Sequence, residues 1–264
     1  MTSGSRISVV LPILTPTPFL RAMSAFAIKT LRAHADFPGF ELIVVEADGR
    51  HFDPASQLDP EIKIDKYLNF NPKIGGVKEL NAGIDAASHG LILSTGNDVI
   101  VPPGWDTELL SIFAARKDCG IACLAACEPG AVIGPREPHP NMPAFVEGWY
   151  SPFMMFRKGW RFDESFVKIY QDSDMVLKMA EQGLRAYRSC RRHVHHLLRM
   201  TSDRVEPEKH QRDLAHDERL FYERWGNSPL WTFGVIRSGI VAYGSEHEAW
   251  TRPIHLHYDP SKPA

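Results

Sequence analysis

Ile7-Ser-Val-Val-Leu-Pro12 and Glu41-Leu-Ile-Val-Val-Glu46 are the two stretches that decide the fold. Each is a short, β-branched, nearly continuous apolar run, the pattern of a strand covered on both faces of a sheet. Pro12 ends the first and Ala47-Asp-Gly49 ends the second, as turn-forming residues do. Between them, residues 19–35 place Leu20, Met23, Phe26, Ala27, Thr30 and Leu31 at a helical period. A buried strand, an amphipathic helix and a second buried strand form one βαβ unit, and such a unit implies a parallel pair with a right-handed crossover.

The alternation continues outward. Residues 62–67 read as a weaker strand, 77–87 as a helix, 91–95 as a strand, 105–116 as a helix and 120–126 as another buried strand. The expected class is therefore α/β, a mostly parallel Rossmann-like sheet flanked by helices. Cys119, Cys123 and Cys127 recur every four residues, which invites a metal reading; their small, apolar surroundings favour a buried strand instead. Beyond residue 128 the texture changes. Pro129, Gly130, Gly134, Pro135, Pro138, Pro140 and Pro143 make a long irregular segment, the kind that serves as a functional loop. A strand near 154–156, a helix over 172–182 stopped by Gly183, a strand over 186–196 and a helix over 213–225 stopped by Gly226 follow.

Composition narrows the function. The 264 residues are 44% hydrophobic and 23% charged, with 30 Lys+Arg against 32 Asp+Glu. That is an ordinary globular balance, and it lacks the basic excess of a protein built to wrap nucleic acid. The most apolar stretch, residues 7–20, is broken by Pro12, Pro16 and Pro18, so no membrane span is expected; nor does the start of the chain read as a secretion signal. Four cysteines make no disulfide framework, and a reduced, cytoplasmic protein is the expectation. Open parallel sheets bind ligands at the carboxyl ends of their strands, which directs attention to residues 12–15, 46–49 and 96–98. Two of these clusters are acidic, and carboxylates gathered in this way call for a cation or a positive ligand. The chain has no GxGxxG after its first strand, no GxxxxGK[ST], no GxSxG and no HExxH, which weighs against dinucleotide dehydrogenases, P-loop NTPases, α/β-hydrolases and zincins.

The ordered set of Ile7-Ser-Val-Val-Leu-Pro12, Glu41-Leu-Ile-Val-Val-Glu-Ala-Asp-Gly49, Leu80-Asn-Ala-Gly-Ile84 and Gly96-Asn-Asp-Val-Ile-Val-Pro-Pro-Gly-Trp105 resembles the family 2 glycosyltransferases of the GT-A fold. Arg161-Phe-Asp-Glu-Ser-Phe166 and Tyr170-Gln-Asp-Ser-Asp174 continue the resemblance, the latter similar to the family's EDxD segment. Val194-His-His196 and Phe221-Tyr-Glu-Arg-Trp-Gly226 complete it, so that it covers roughly residues 5–227.

The resemblance implies a nucleotide-sugar donor (a UDP-, GDP- or dTDP-sugar), an acceptor hydroxyl, and an inverting displacement assisted by Mn²⁺ or Mg²⁺. It divides the chain into a donor half (1–127), an acceptor half (128–227) and an extension (228–264). In the DxD position the sequence reads Thr95-Gly-Asn-Asp98, so Asp98 is the implied metal ligand and Asn97 a neutral neighbour at the nucleotide. Glu46 and Asp48 are the implied contacts to nucleobase and ribose, Pro12 and Ile13 the lining of the base pocket. Lys78 reaches the diphosphate or simply occupies an exposed helix face. His195 or His196 stands beside the metal; on a strand His193 and His195 share one face and His196 the other. Asp172 is the implied catalytic base, and Asp174 serves packing or capping. Trp149, Tyr150 and Trp160 are aromatics of the acceptor half. Two other readings stay open. A sugar nucleotidyltransferase shares the sheet but would carry a glycine-rich GxGxR loop that is missing here, and a silent nucleotide-sugar binder would bind without turnover.

Overall fold

The computed structural model describes residues 7–47, 52–127, 144–148, 152–197 and 207–226. Asp48, the proline-rich segment, Trp149, Tyr150 and the extension beyond 227 lie outside the described residues.

The strands are β1 (Ile7–Ile13), β2 (Glu41–Ala47), β3 (Lys66–Phe70), β4 (Leu91–Thr95), β5 (Val99–Ile100), β6 (Cys119–Cys127), β7 (Phe145–Glu147), β8 (Phe153–Arg157) and β9 (Arg185–His196). They form one sheet in the order β3-β2-β1-β4-β8-β6-β9-β5, with β7 pairing β9 on the side. β1, β2, β3 and β4 are parallel, and β6 and β9 are parallel to each other. β8 is antiparallel to both β4 and β6, so β6 and β9 run in the same direction as β1–β4. This is the GT-A-type α/β architecture expected from the sequence. Strands on both sides of residue 127 share the sheet.

The helices are α1 (Pro18–Ala33), α2 (Pro54–Gln57), α3 (Gly76–Ala86), α4 (Trp105–Ala115), α5 (Gln171–Glu181) and α6 (Pro207–Trp225). One sheet face is covered by α1 and α4, through Ala25, Ile28, Leu31, Trp105, Leu109 and Ile112. The other is covered by α3, α5 and α6, through Leu80, Ile84, Met175, Met179, Phe221 and Trp225. Apolar burial on both faces at roughly 25 cal/mol per Å² accounts for the continuous runs in β1 and β2. Gly83 is obligatory in α3. A Cβ there would stand 2.4 Å from Val10 Cγ1 and 2.8 Å from Val45 Cγ2, so the helix lies on the sheet too closely for any side chain. Thr17 caps α1, its hydroxyl accepting from Leu20 N, and Pro18 opens the helix.

One expectation is corrected. The strand expected over 62–67 begins only at Lys66, because Asp65 Oδ2 accepts the Leu42 N–H at 2.9 Å and thereby caps the ladder. Ile62 and Ile64 pack against the core from an irregular segment. The four-residue spacing of the cysteines does not align them. A register shift beside Gly120 turns Cys119 into the α1–α4 core and Cys123 into the opposite core. Burial pushes the Cys119 thiol up to about 12, an apolar side chain in all but name. β5, β7 and α2 were not foreseen; two- to four-residue elements leave no periodic signal.

No helix among the described residues is long and apolar enough to cross a membrane.

Candidate functional site

Because β1–β4, β6 and β9 run in one direction, their carboxyl ends assemble a single edge. Thr15, Glu46, the Gly96–Asp98 turn and His196 all arrive there. The first turns of α3 and α5 arrive there too, since each helix runs back from that edge before the next strand.

At the β1–β2–β3 end of this edge, Glu46 is 1% exposed. Its Oε1 accepts the Thr15 hydroxyl at 2.5 Å and the Phe52 N–H at 3.2 Å, and its Oε2 accepts the Tyr67 hydroxyl. Burial and the Glu46 charge together raise the Tyr67 phenol well above its ordinary value, keeping it a donor. Glu46 therefore ties three strand ends into one floor. Ile13, expected to line a base pocket, is instead 2% exposed in the α1-side core. The half-buried Pro12 faces the α3 side by strand alternation.

In the middle, Gly96-Asn97-Asp98 turns the chain from β4 into β5. Asn97 is buried, and its Nδ2 donates to Ser24 Oγ of α1 at 2.8 Å, so its amide anchors the turn to a helix. Asp98 folds back over Gly96, where a Cβ would meet its Oδ1 at 2.7 Å. β5 pairs antiparallel with the end of β9, Val99 opposite His196 and Ile100 opposite His195, and Leu197 N donates to Asp98 O. This small ladder brings His196 Nε2 to 3.5 Å from Asp98 Oδ2, with both side chains mostly buried. His195 is exposed on the other strand face, its ring against that of His193 with centroids 5.4 Å apart. Of the two histidines, His196 is the one beside Asp98. Burial and His195 both lower the His193 pKa, which keeps that ring neutral.

Among the described residues no group of three or more His, Cys, Asp or Glu side chains converges as a complete cation cage. The Asp98–His196 pair nevertheless suits part of one. A carboxylate oxygen and an imidazole nitrogen are donors for Mn²⁺ and similar ions. Two ligands of one ion at about 2.1 Å lie roughly 3.0–4.2 Å apart, which brackets the 3.5 Å separation seen here. Such a pair leaves most coordination positions to a ligand's own oxygens.

On the α3–α5 side, Lys78 is exposed in the first turn of α3. Asn81 reads the backbone of the 162–164 segment: Nδ2 donates to Phe162 O at 2.8 Å, and Oδ1 accepts Phe162 N at 3.0 Å. Asp172 lies in the first turn of α5, 7% exposed, with Oδ1 accepting Ser173 N at 2.9 Å. The residue before this helix, Tyr170, has φ 64°, the only positive φ at a non-glycine position among the described residues. Asp174, in contrast, is structural. Its Oδ1 accepts Arg224 Nη1 at 2.7 Å and Trp225 Nε1 at 3.1 Å, and its Oδ2 faces Lys178 Nζ at 2.8 Å.

Two residues important to the edge escaped the sequence reading. Tyr67 ends the strand expected over 62–67 but stands at the start of β3. Asp217, 0% exposed on α6, accepts the N–H groups of Val167, Lys168 and Ile169, each at 2.9 Å, and so fixes the segment that leads into Tyr170 and Asp172. One acid in a helix as charged as α6 carries no distinguishing signal in the sequence.

No protein-family model matches the chain, and no curated protein does. Among solved structures it is similar to residues 1–349 of S. aureus TarS, with TM-score 0.56 and 15% identity over 85% of this chain and 66% of that one. The same fragment in complex with UDP gives 0.56 and 16% over the same shares. The mannosyltransferase PcManGT from Pyrobaculum calidifontis, in complex with GDP-Man and Mn²⁺, gives 0.57 and 15%, again over 85% and 66%. The chain spans 42% of the longer TarS structure. At these identities the likeness is one of fold.

Proposed function

We propose that this protein is a glycosyltransferase of the family 2 type, moving a sugar from a nucleotide-sugar donor to an acceptor hydroxyl with inversion and with the aid of a divalent cation. The observation that carries the reading is the Asp98–His196 pair, held 3.5 Å apart at the carboxyl edge of the parallel sheet. Similar folds in complex with UDP, and with GDP-Man and Mn²⁺, support it.

In this reading Glu46 and Asp48 are the residues that recognise the nucleobase and ribose. Glu46 acts mainly as the organiser of that floor, since Thr15, Phe52 and Tyr67 already donate to its oxygens. Lys78, exposed in the first turn of α3, is the contact to the diphosphate oxygens in this reading. Asp98 and His196 hold the cation, whose charge, when bound, offsets that of the departing diphosphate. Asp172 takes the proton of the acceptor hydroxyl as that oxygen attacks the anomeric carbon. The bond from that carbon to the diphosphate breaks, and the nucleoside diphosphate leaves with the electron pair. Asp172 suits the task because its helix start is fixed from two sides, through Asp217 and through Asp174 with Arg224. Rigid support of a catalytic group is worth orders of magnitude in rate.

A second reading, a nucleotide-sugar binder without turnover, is favoured by Asn97. It is an amide tied to Ser24, so Asp98 is the only carboxylate of the Thr95–Asp98 turn.

A panel of UDP-, GDP- and dTDP-sugars separates the two readings, because the binder takes up nucleotide and turns nothing over. With a donor in hand, Asp172→Asn should keep donor affinity and lose at least ~100-fold in transfer rate. Turnover within a few-fold of wild type removes Asp172 from the mechanism.

A further inference from the structure

The strand that brings His196 to Asp98 is interrupted on the way. From Arg188 to His193 β9 takes five residue steps while its partner β6 takes two, from Cys123 to Ala125, so β9 carries three extra residues in a bulge. The bulge reverses the alternation of the strand. Before it, Tyr187 packs in the core under α1 and α4, and Ala186 in the opposite core. After it, Val194 lies in the α1–α4 core, so the even-numbered residues now face that side. His196 is among them, opposite Val99 of β5, which belongs to the same core. An unbroken alternation from Tyr187 would carry His195 to that side and turn His196 away, as a one-residue slip of any strand does. The bulge selects His196.

One hydroxyl closes this bulge. Ser189 is 0% exposed, and its Oγ accepts the N–H groups of Arg191 at 3.0 Å and Arg192 at 3.3 Å. Cys190 donates its N–H to Ala144 O at 3.0 Å, so the backbone donors of residues 190–192 are all satisfied. Ser189 Oγ gives its own hydrogen to Glu108 Oε1 at 2.6 Å, which orients the hydroxyl so that its lone pairs meet the two amides. Glu108 is buried in the first turn of α4, and its Oε2 lies 3.9 Å from Arg192 Nε. Arg192 Nη1 in turn donates to Pro103 O, in the segment that leads from β5 into α4. The clasp therefore joins β9, which carries His196, to the chain just beyond β5, which follows Asp98.

We propose that Ser189 and Glu108 are positioning residues for the Asp98–His196 pair: by fixing the bulge they decide which histidine faces Asp98 and hold it there. The consequence for cation affinity rests on the glycosyltransferase reading above. The consequence for the β5–β9 ladder rests only on the bulge and its hydrogen bonds.

The test measures Mn²⁺ affinity by calorimetry, and amide hydrogen exchange, on the full chain at a temperature where thermal unfolding shows each variant folded. Ser189→Ala leaves the Arg191 and Arg192 amides without their acceptor and should lose at least tenfold in Mn²⁺ affinity. Leu197 N, which donates to Asp98 O across the ladder, should exchange at least tenfold faster in that variant, while amides of β1 and β2 change far less. Glu108→Gln keeps one acceptor oxygen for the Ser189 hydroxyl and should fall between wild type and Ser189→Ala. Adding His196→Ala to Ser189→Ala should cost less affinity than His196→Ala costs alone, because residues that act through one another are not additive. Unchanged exchange at Leu197 in Ser189→Ala, or a rise matched at β1 and β2, overturns the proposal. Wild-type Mn²⁺ affinity in that variant, or full additivity with His196→Ala, overturns it as well. If wild type binds no Mn²⁺, the cation reading of the donor site falls, and exchange at Leu197 alone upholds or overturns the positioning role.

Discussion

Asp217 offers a quantitative test of how α6 supports the candidate active site. Its carboxylate is 0% exposed and accepts three consecutive backbone N–H groups at 2.9 Å, Val167 on Oδ1, Lys168 and Ile169 on Oδ2. Hydrogen bonds to a charged group contribute about 1.5–3 kcal/mol each, and a buried N–H left without a partner costs about 1–3 kcal/mol. The three bonds share one carboxylate and cannot simply be added. A loss of about 3–5 kcal/mol for Asp217→Ala is the working figure, the range seen when a buried charged network is broken. Asp217→Asn keeps one acceptor oxygen but turns an NH₂ toward at least one backbone N–H, so it should lose about 1–3 kcal/mol. Equilibrium urea unfolding gives both numbers. Native-state hydrogen exchange should show amides 167–169 opening faster in either variant, ahead of the β1–β2 amides. Asp217→Ala within 1 kcal/mol of wild type, with exchange at 167–169 unchanged, would refute this account of α6.

Other consequences follow from single contacts. Gly83→Ala forces a Cβ into Val10 and Val45, so α3 must lift from the sheet; a loss of about 1–3 kcal/mol in urea unfolding is expected, and a neutral result contradicts the packing. Burial opposes ionisation of Glu41, yet bonds from Lys66, Ser8 and Ser88 outweigh it and hold the carboxyl at about 2 against an ordinary 4.5. A carboxylate depressed in the folded state stabilises above its unfolded pKa and loses that contribution as pH falls through the folded value. Wild type should therefore exceed Glu41→Gln by a constant margin from pH 7 to about 5, and by a margin that shrinks steadily below pH 4.5. A margin as large at pH 3 as at pH 7 contradicts the assignment.

The sheet was legible because its strands are buried on both faces, which writes β1, β2, β4 and β6 as apolar runs, and because α1, α3 and α5 have clear apolar stripes. Gly183 and Gly226 marked two helix ends through the left-handed conformation each adopts there, φ 76° and 70°. The start of β3 was not legible, since a single tertiary bond from Asp65 to Leu42 displaces it. Strand-end logic led to the edge where Asp98 and His196 meet, and alternation along β9 separated His196 from His193 and His195. The sequence could not choose His196 over His195, because that choice depends on a two-residue strand, β5, too short to predict. Nor could it show that Ile13 is sealed in the core or that Asn97 is bound to Ser24. Each depends on which residue of a distant element lies opposite, and local pattern does not encode that.

The most direct test of the central claim is calorimetric titration of a nucleoside diphosphate into the wild type with Mn²⁺, the wild type in EDTA, and Asp98→Ala and His196→Ala with Mn²⁺. If Asp98 and His196 hold a cation that in turn holds the diphosphate, affinity should fall at least tenfold, about 1.4 kcal/mol, in EDTA and in both variants, while His195→Ala stays near wild type. Equal affinity in all of these conditions would contradict the claim.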